Sequence, residues 1–286
     1  MLTDEKRIEL EKTANNIRES IIEMLVAAGS GHTAGPLGMA DVLTVLYFHT
    51  LRQDPKNWEW PDRDRLVLSN GHICPVLYAA MAYAGYFPIS ELKTLRKFGS
   101  RLQGHPHREF LPALETSSGP LGSGLSQAVG MAIADRMDDA AGKRRIVCLM
   151  SDGELDEGQT WEAAMLAGKQ GLRNLVALVD RNNIQIDGFT EDIMPLEPLA
   201  DKWRAWNWHV LEIDGHNMQA IAAAFDEALS IYEHPTMIIA HTIPGKGVKE
   251  FERDYEWHGK PPKPDEAKMA LRELRTLGGK IESEHQ

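Results

Sequence analysis

Three stretches, Arg145–Met150, Asn174–Val179 and Pro235–Ala240, run apolar almost without a break. Side chains alternate across a strand, so a run without polar alternation fits a strand covered on both faces, and this constrains the fold more than any other feature. A fourth run, Arg65–Ser69, ends at the turn signal Asn70–Gly71, and His209–Asp214 is a fifth with partial alternation. Helical patterns lie between them at Ser123–Met137, Gln159–Lys169 and Met218–Leu229. Strand–helix–strand repetition with short loops pairs strands in parallel through right-handed crossovers. The sequence therefore predicts an α/β fold, an open, mostly parallel sheet with helices on both faces. Ahead of it, Leu2–Ala28 reads as a helix, Gly29–Gly38 as a glycine-rich break and Met39–Phe48 as a second apolar helix. The expected organisation is one domain over residues 1–262, followed by a C-terminal polar helical extension over 263–286.

Charge and composition exclude several classes of function. With 31 Lys and Arg against 42 Asp and Glu, the net charge of −11 opposes general binding to nucleic acid or anionic membranes. No apolar run approaches the roughly 20 residues that span a bilayer. The charged N-terminus lacks the apolar core of a signal peptide. Cys74 and Cys148 sit far apart in apolar stretches, which rules out a disulfide scaffold and fits a cytoplasmic location.

In an open parallel sheet, ligands bind beyond the carboxyl ends of the strands. One strand runs into Ser151-Asp152-Gly153-Glu154, and the next into Asp180-Arg181-Asn182-Asn183-Ile184. Asp152 and Asn182 stand 30 residues apart, one strand–helix–strand unit, so both come to the same edge of neighbouring strands. A carboxylate, an amide oxygen and a backbone carbonyl are hard oxygen donors that suit Mg²⁺ or Ca²⁺. Gly153 removes a Cβ where a phosphate would approach, and the helix that follows offers N–H donors. Each motif alone reads first as turn residues after a strand. The pair at this spacing favours a metal–diphosphate site.

Asp152-Gly153-Glu154, Glu157-Gly158 and Asn182-Asn183-Ile184, ending at Asp187-Gly188, together resemble the thiamine diphosphate fingerprint of the transketolase family. Four further loops resemble that family, at Ser30–Gly38, Leu68–His72, Gly99–Pro106 and Ser118–Gly124, as does Trp257-His258-Gly259. The resemblance spans about residues 10 to 262. It implies thiamine diphosphate with Mg²⁺, or Ca²⁺ or Mn²⁺, held by Asp152, Asn182 and the Ile184 carbonyl. It further implies cofactor contacts from His72, Gly119, Pro120, Leu121, Gly153, Glu154, Asn182 and His258. His32, His105 and His258 would handle hydroxyl protons of the sugar, for which an imidazole of ordinary pKa about 6.5 is matched to neutral pH. Glu157 would lie in a carboxylate relay at the subunit interface. Ser151 departs from the Gly common before this Asp. The implied reaction moves a two-carbon ketol group from a ketose, or its phosphate, to an aldose through a thiamine diphosphate carbanion.

Members of the family carry a second α/β domain with an activating glutamate, and no such sequence follows His258. The expectation is a diphosphate-binding subunit that is inactive alone. It would dimerise through an apolar face around Gln159–Leu172 and pair with a separately encoded C-terminal subunit, giving an α₂β₂ assembly. Two alternatives remain open from sequence: the α-subunit of a 2-oxo-acid dehydrogenase E1 component, and a non-catalytic cofactor-binding module.

Overall fold

The computed structural model describes residues 2–138 and 144–276. Helix α1 (Asp4–Ala28) leads through α2 (Ala34–Gly38) and α3 (Ala40–Val45) to strand β1 (Arg65–Leu68) and helix α4 (Cys74–Ala84). There follow α5 (Ser123–Met137), β2 (Ile146–Ser151), α6 (Gly158–Gln170) and β3 (Leu175–Arg181). A small antiparallel hairpin, β4 (Ile184–Gln185) with β5 (Gly188–Phe189), precedes α7 (Thr190–Ile193) and α8 (Leu199–Ala205). Next come β6 (His209–Asp214), α9 (Met218–Ala228), β7 (Thr236–His241) and α10 (Pro264–Thr276).

The five long strands form one parallel sheet in the order β1-β2-β3-β7-β6. Its apolar runs divide their side chains between two cores. Val147 and Leu149 of β2 pack with α1, α3, α4 and α9, whereas Ile146, Cys148 and Met150 face α5, α6 and α8. The crossovers explain the two layers. Through α6 the chain steps from β2 to β3 in one direction, and through α9 it steps back from β6 to β7 in the other. Right-handed connections then put α6 and α9 on opposite faces. Helix α10 is not detached: Ala267, Ala270 and Leu274 are buried in the same core as α1, and Asn15 Nδ2 donates to the Leu274 carbonyl at 3.1 Å. Residues 277–286 of the expected extension lie outside the described residues.

A buried polar cluster ties α1 and α3 to the loop after β7. Arg18, fully buried, makes a fork to Asp41 at 3.1 and 2.6 Å, and His216 Nδ1 lies 2.8 Å from the same carboxylate. The Ile243 amide donates to His216 Nε2 at 2.7 Å, which leaves the ring proton on Nδ1, pointing at Asp41. Burial alone would raise the Asp41 carboxyl, but Arg18 and His216 outweigh it and hold it at about 2. A carboxyl depressed on folding adds stability above its unfolded value, 3.8 here, that is lost as pH falls through about 2. Removing one partner of a buried pair costs about 3–5 kcal/mol. Asp41→Ala is therefore expected to lower stability by that order at neutral pH, with the gap to wild type closing from pH 4 towards 2. Chemical denaturation across this range measures it, and a gap that stays constant to pH 2 contradicts the assignment.

Candidate functional site

Strands β2, β3 and β7 end side by side, and the loops leaving them build the site. Ser151 pairs with Asp180 in the β2–β3 register, which brings Asp152 level with the start of the next loop. Asp152 is fully buried. Its Oδ1 accepts from the Gly153 amide at 2.8 Å, and its Oδ2 accepts from the Asn183 amide at 2.6 Å and from Arg181 Nη1 at 3.2 Å. Asn183 sits at φ +64°, a left-handed turn that aims its N–H back at the carboxylate. Asn182 donates from Nδ2 to Asp180 Oδ2 at 2.8 Å, and its Oδ1 accepts from the Ile184 amide at 3.0 Å. The loops after β2 and β3 are thus locked together around Asp152.

The residues fit a divalent ion in charge and donor type. Burial pushes the Asp152 carboxyl up to about 6 even with Arg181 beside it, and Asp180 up to about 7. Buried carboxyls that are this poorly compensated mark a place short of positive charge. Among the described residues no three His, Cys, Asp or Glu side chains form a closed metal cage. One carboxylate, one amide oxygen and one carbonyl would leave further positions for phosphate oxygens and water, as Mg²⁺ prefers.

In front of these loops lies a cavity of about 310 Å³. His32, His72, His105 and His258 line it together with Gly119, Leu121, Gly153, Glu154 and Ile184, joined by Ser151, Asp156, Gln185 and Ile186. The rings of His32 and His72 lie 4.9 Å apart, and His258 lies 5.5 and 5.4 Å from them. Their loops come from distant parts of the chain and are fastened to each other: Thr33 Oγ1 donates to the Lys260 carbonyl at 2.5 Å, and the Gly245 amide donates to the Ala34 carbonyl at 2.9 Å. A Cβ on Gly71 would stand 2.5 Å from Ser118 Oγ and 3.2 Å from the His105 ring, so only glycine lets the second and fourth loops meet. At Gly153 a Cβ would come within 3.2 Å of Gln185, closing the cradle where a phosphate would approach.

The imidazoles depart from the sequence expectation in one respect. Burial first, then the neighbouring charges of His258, Arg96 and His105, lowers His32 to about 4. Burial likewise lowers His72, His105 and His258. Burial, more than the rings' mutual proximity, makes a proton costly on each of them, so at neutral pH they are neutral hydrogen-bonding groups. His32 Nδ1 and His258 Nδ1 are buried without a hydrogen-bond partner.

Glu154 plays a part that sequence did not describe. Fully buried, it accepts from Ser69 Oγ, from the Gly122 amide at 2.6 Å and from the Ser151 amide at 3.1 Å. One carboxylate therefore joins the ends of β1 and β2 to the glycine loop before α5. Pro120 and Glu157 are exposed and do not line the cavity; Glu157 sits at the start of α6, its Cβ 2.8 Å from where a Cβ of Gly122 would be. Asp152 and Asn182 are buried and do not line the cavity, although their neighbours Ser151, Gly153 and Ile184 do. Gln185 and Ile186 were missed as lining residues, although they belong to the same loop as Asn182.

The family model described as transketolase, thiamine diphosphate binding domain, matches residues 10–279. The 6-deoxy-6-sulfo-D-fructose transketolase subunit SqwG of Clostridium sp. (strain MSTE9) is 45% identical over 274 residues, covering 96% of this chain and 99% of that protein. An apulose-4-phosphate transketolase subunit from Phocaeicola vulgatus is 40% identical, covering 97% of each. Among solved structures, transketolase from Leishmania mexicana superposes with a TM-score of 0.88 at 33% identity over 93% of this chain. The chain spans 41% of the length of that transketolase.

Proposed function

We propose a function from one premise: the chain belongs to the transketolase family, through its thiamine diphosphate-binding domain. It holds the diphosphate end of the cofactor with a divalent ion. With a second, separately encoded chain it transfers a two-carbon ketol unit between sugars or sugar phosphates. The reading is supported above all by the convergence of His32, His72, His105 and His258 on one cavity whose wall carries Gly153 and Ile184. Its other support is the pair of relatives that are themselves named as subunits, aligned along 99% and 97% of their own lengths. All these relatives are transketolases, so the 2-oxo-acid dehydrogenase reading has no observation in its favour.

Thiamine diphosphate, when bound, supplies the electron sink for breaking and making the carbon–carbon bond. The chain's own residues do the rest. Asp152, the Asn182 amide oxygen and the Ile184 carbonyl would hold the ion, with Mg²⁺ favoured by donor type. The Gly119–Leu121 and Gly153 backbone would cradle the diphosphate, and His72 would help to hold the cofactor. His32, His105 and His258 accept and return hydroxyl protons of the sugar. The relatives' named substrates are a sulfonated ketose and a sugar phosphate, so an anionic sugar is the substrate class this reading favours. Exposed Met165 and Leu166 on α6, with Glu157 at its start, would meet a second copy in an α₂β₂ assembly. No helix among the described residues is long and apolar enough to cross a membrane, and both cysteines are buried free thiols, in keeping with a cytoplasmic enzyme.

The test is reconstitution. The purified chain, the product of a neighbouring gene encoding a pyrimidine-binding domain, Mg²⁺ and thiamine diphosphate should together transfer ketol units from an anionic ketose. Either chain alone should not. A complete mixture without ketol transfer refutes the reading.

A further inference from the structure

Arg181 closes β3 with a side chain that is buried and spread over four acceptors from two separate stretches of chain. Its Nη1 donates to Asp152 Oδ2 at 3.2 Å and to Thr190 Oγ1 at 2.8 Å. Its Nη2 donates to Glu191 Oε1 at 2.8 Å and to Glu197 Oε1 at 3.0 Å. Both glutamates are also used inside their own segment: Glu191 Oε1 accepts from the Leu196 amide at 3.1 Å, and Glu197 Oε2 from the Leu199 amide at 2.8 Å. Between Thr190 and Leu199 only those two residues and Leu196 are buried. Leu196 and Leu199 anchor the segment in the core, and the Thr190 amide donates to the Asn183 carbonyl at 3.0 Å; the guanidinium adds the link from the segment's glutamates to Asp152.

A cation beside a metal-binding carboxylate could act as a competitor or as a support, and the geometry decides between them. Glu191 and Glu197 pair with the guanidinium from the side away from Asp152, which offsets part of its repulsion towards a second cation. Asp152 is held independently by the Gly153 and Asn183 amides, so Nη1 can yield its contact without releasing the carboxylate. A planar fork is also the one side chain able to bridge Asp152 and two glutamates at once.

We propose that Arg181 is a positioning residue for the metal site, fastening segment 190–199 to Asp152 before any ion or diphosphate binds. The ordering of that segment is then not left to the binding step, which would otherwise weaken affinity. The inference rests on the reading of Asp152 as a metal ligand.

Two measurements on the full chain test it. Hydrogen exchange without ligand reads the fastening, and calorimetric titration of Mg²⁺ at saturating thiamine diphosphate reads the positioning. In Arg181→Met, amides of 190–199 should exchange at least about tenfold faster and Mg²⁺ affinity should fall about tenfold. Arg181→Lys, with one point donor, should fall between Met and wild type in both. Unchanged exchange in Arg181→Met overturns the fastening. Faster exchange, or a lower melting temperature, with unchanged Mg²⁺ affinity leaves only a structural role and overturns the positioning. Full recovery by Lys overturns the fork. A wild-type chain that binds no thiamine diphosphate at any Mg²⁺ level, even with its partner chain present, refutes the cofactor reading itself and the positioning with it, whereas unchanged exchange with intact binding refutes Arg181's part alone.

Discussion

Asp152→Ala is expected to abolish Mg²⁺-dependent binding of thiamine diphosphate and to take ketol transfer by the two-chain mixture down to background. Asp152 is the one carboxylate in a proposed donor set otherwise made of an amide oxygen and a backbone carbonyl, and neutral oxygens alone hold Mg²⁺ poorly. The substitution also strips Arg181 of a partner 3.2 Å away and leaves the Asn183 amide, now at 2.6 Å from Oδ2, without an acceptor. Breaking a buried pair costs about 3–5 kcal/mol, so the alanine chain could lose activity through instability alone. Asp152→Asn separates the two effects. It keeps the shape and one acceptor oxygen, enough for the Asn183 amide and Arg181 but with its NH2 facing the Gly153 amide, so the chain should fold by circular dichroism with a lowered melting temperature while Mg²⁺ affinity drops at least about a hundredfold, roughly 2.7 kcal/mol. An asparagine chain that binds thiamine diphosphate with unchanged Mg²⁺ dependence would refute Asp152 as a ligand. An alanine chain that still supports ketol transfer would do so as well.

The sheet was legible because its strands are covered on both faces. Leu149 and Cys148 point to different cores, and both must be apolar, so periodicity vanishes and an unbroken run is left. The same physics hid α4. Cys74–Ala82 is buried on every side, and a helix without a polar face carries no 3.6-residue signal. Motif glycines and histidines were readable because they stand beside turn residues at the ends of strands and helices. Their electrostatics were not, since the depression of His32 comes from burial and from His258, more than two hundred residues away in sequence. Arg181 was unreadable for a related reason. It follows an apolar strand as any solvating charge would, and only the β2–β3 register turns it onto Asp152. The Arg18–Asp41–His216 cluster likewise joins residues that no local pattern relates.

His32→Ala in the assembled enzyme is expected to lower kcat/KM by about 10²–10⁴-fold, the usual loss when a positioned proton carrier is removed. The ring packs against two others, 4.9 Å from His72 and 5.5 Å from His258, with Nδ1 unpartnered. Its mode of action follows from its charge. A histidine whose pKa is lowered on folding stays neutral until pH falls through the lowered value, here about 4. At neutral pH it therefore acts from the neutral side, accepting a proton or hydrogen bond from a sugar hydroxyl and passing it on, with no standing imidazolium to supply one. The pH profile carries the distinction. No loss of kcat/KM traceable to His32 should occur between pH 8 and about 5.5, and its acid limb should lie near 4. His32→Gln, which keeps a neutral donor and acceptor but cannot take up a proton, should recover binding more than turnover, moving KM towards wild type and leaving kcat depressed. A wild-type inflection near 6.5 that disappears in His32→Gln would mean that the protonated ring is the working form. In that event the bound sugar, or the partner chain, must bring negative charge close enough to His32 to reverse the effect of its burial.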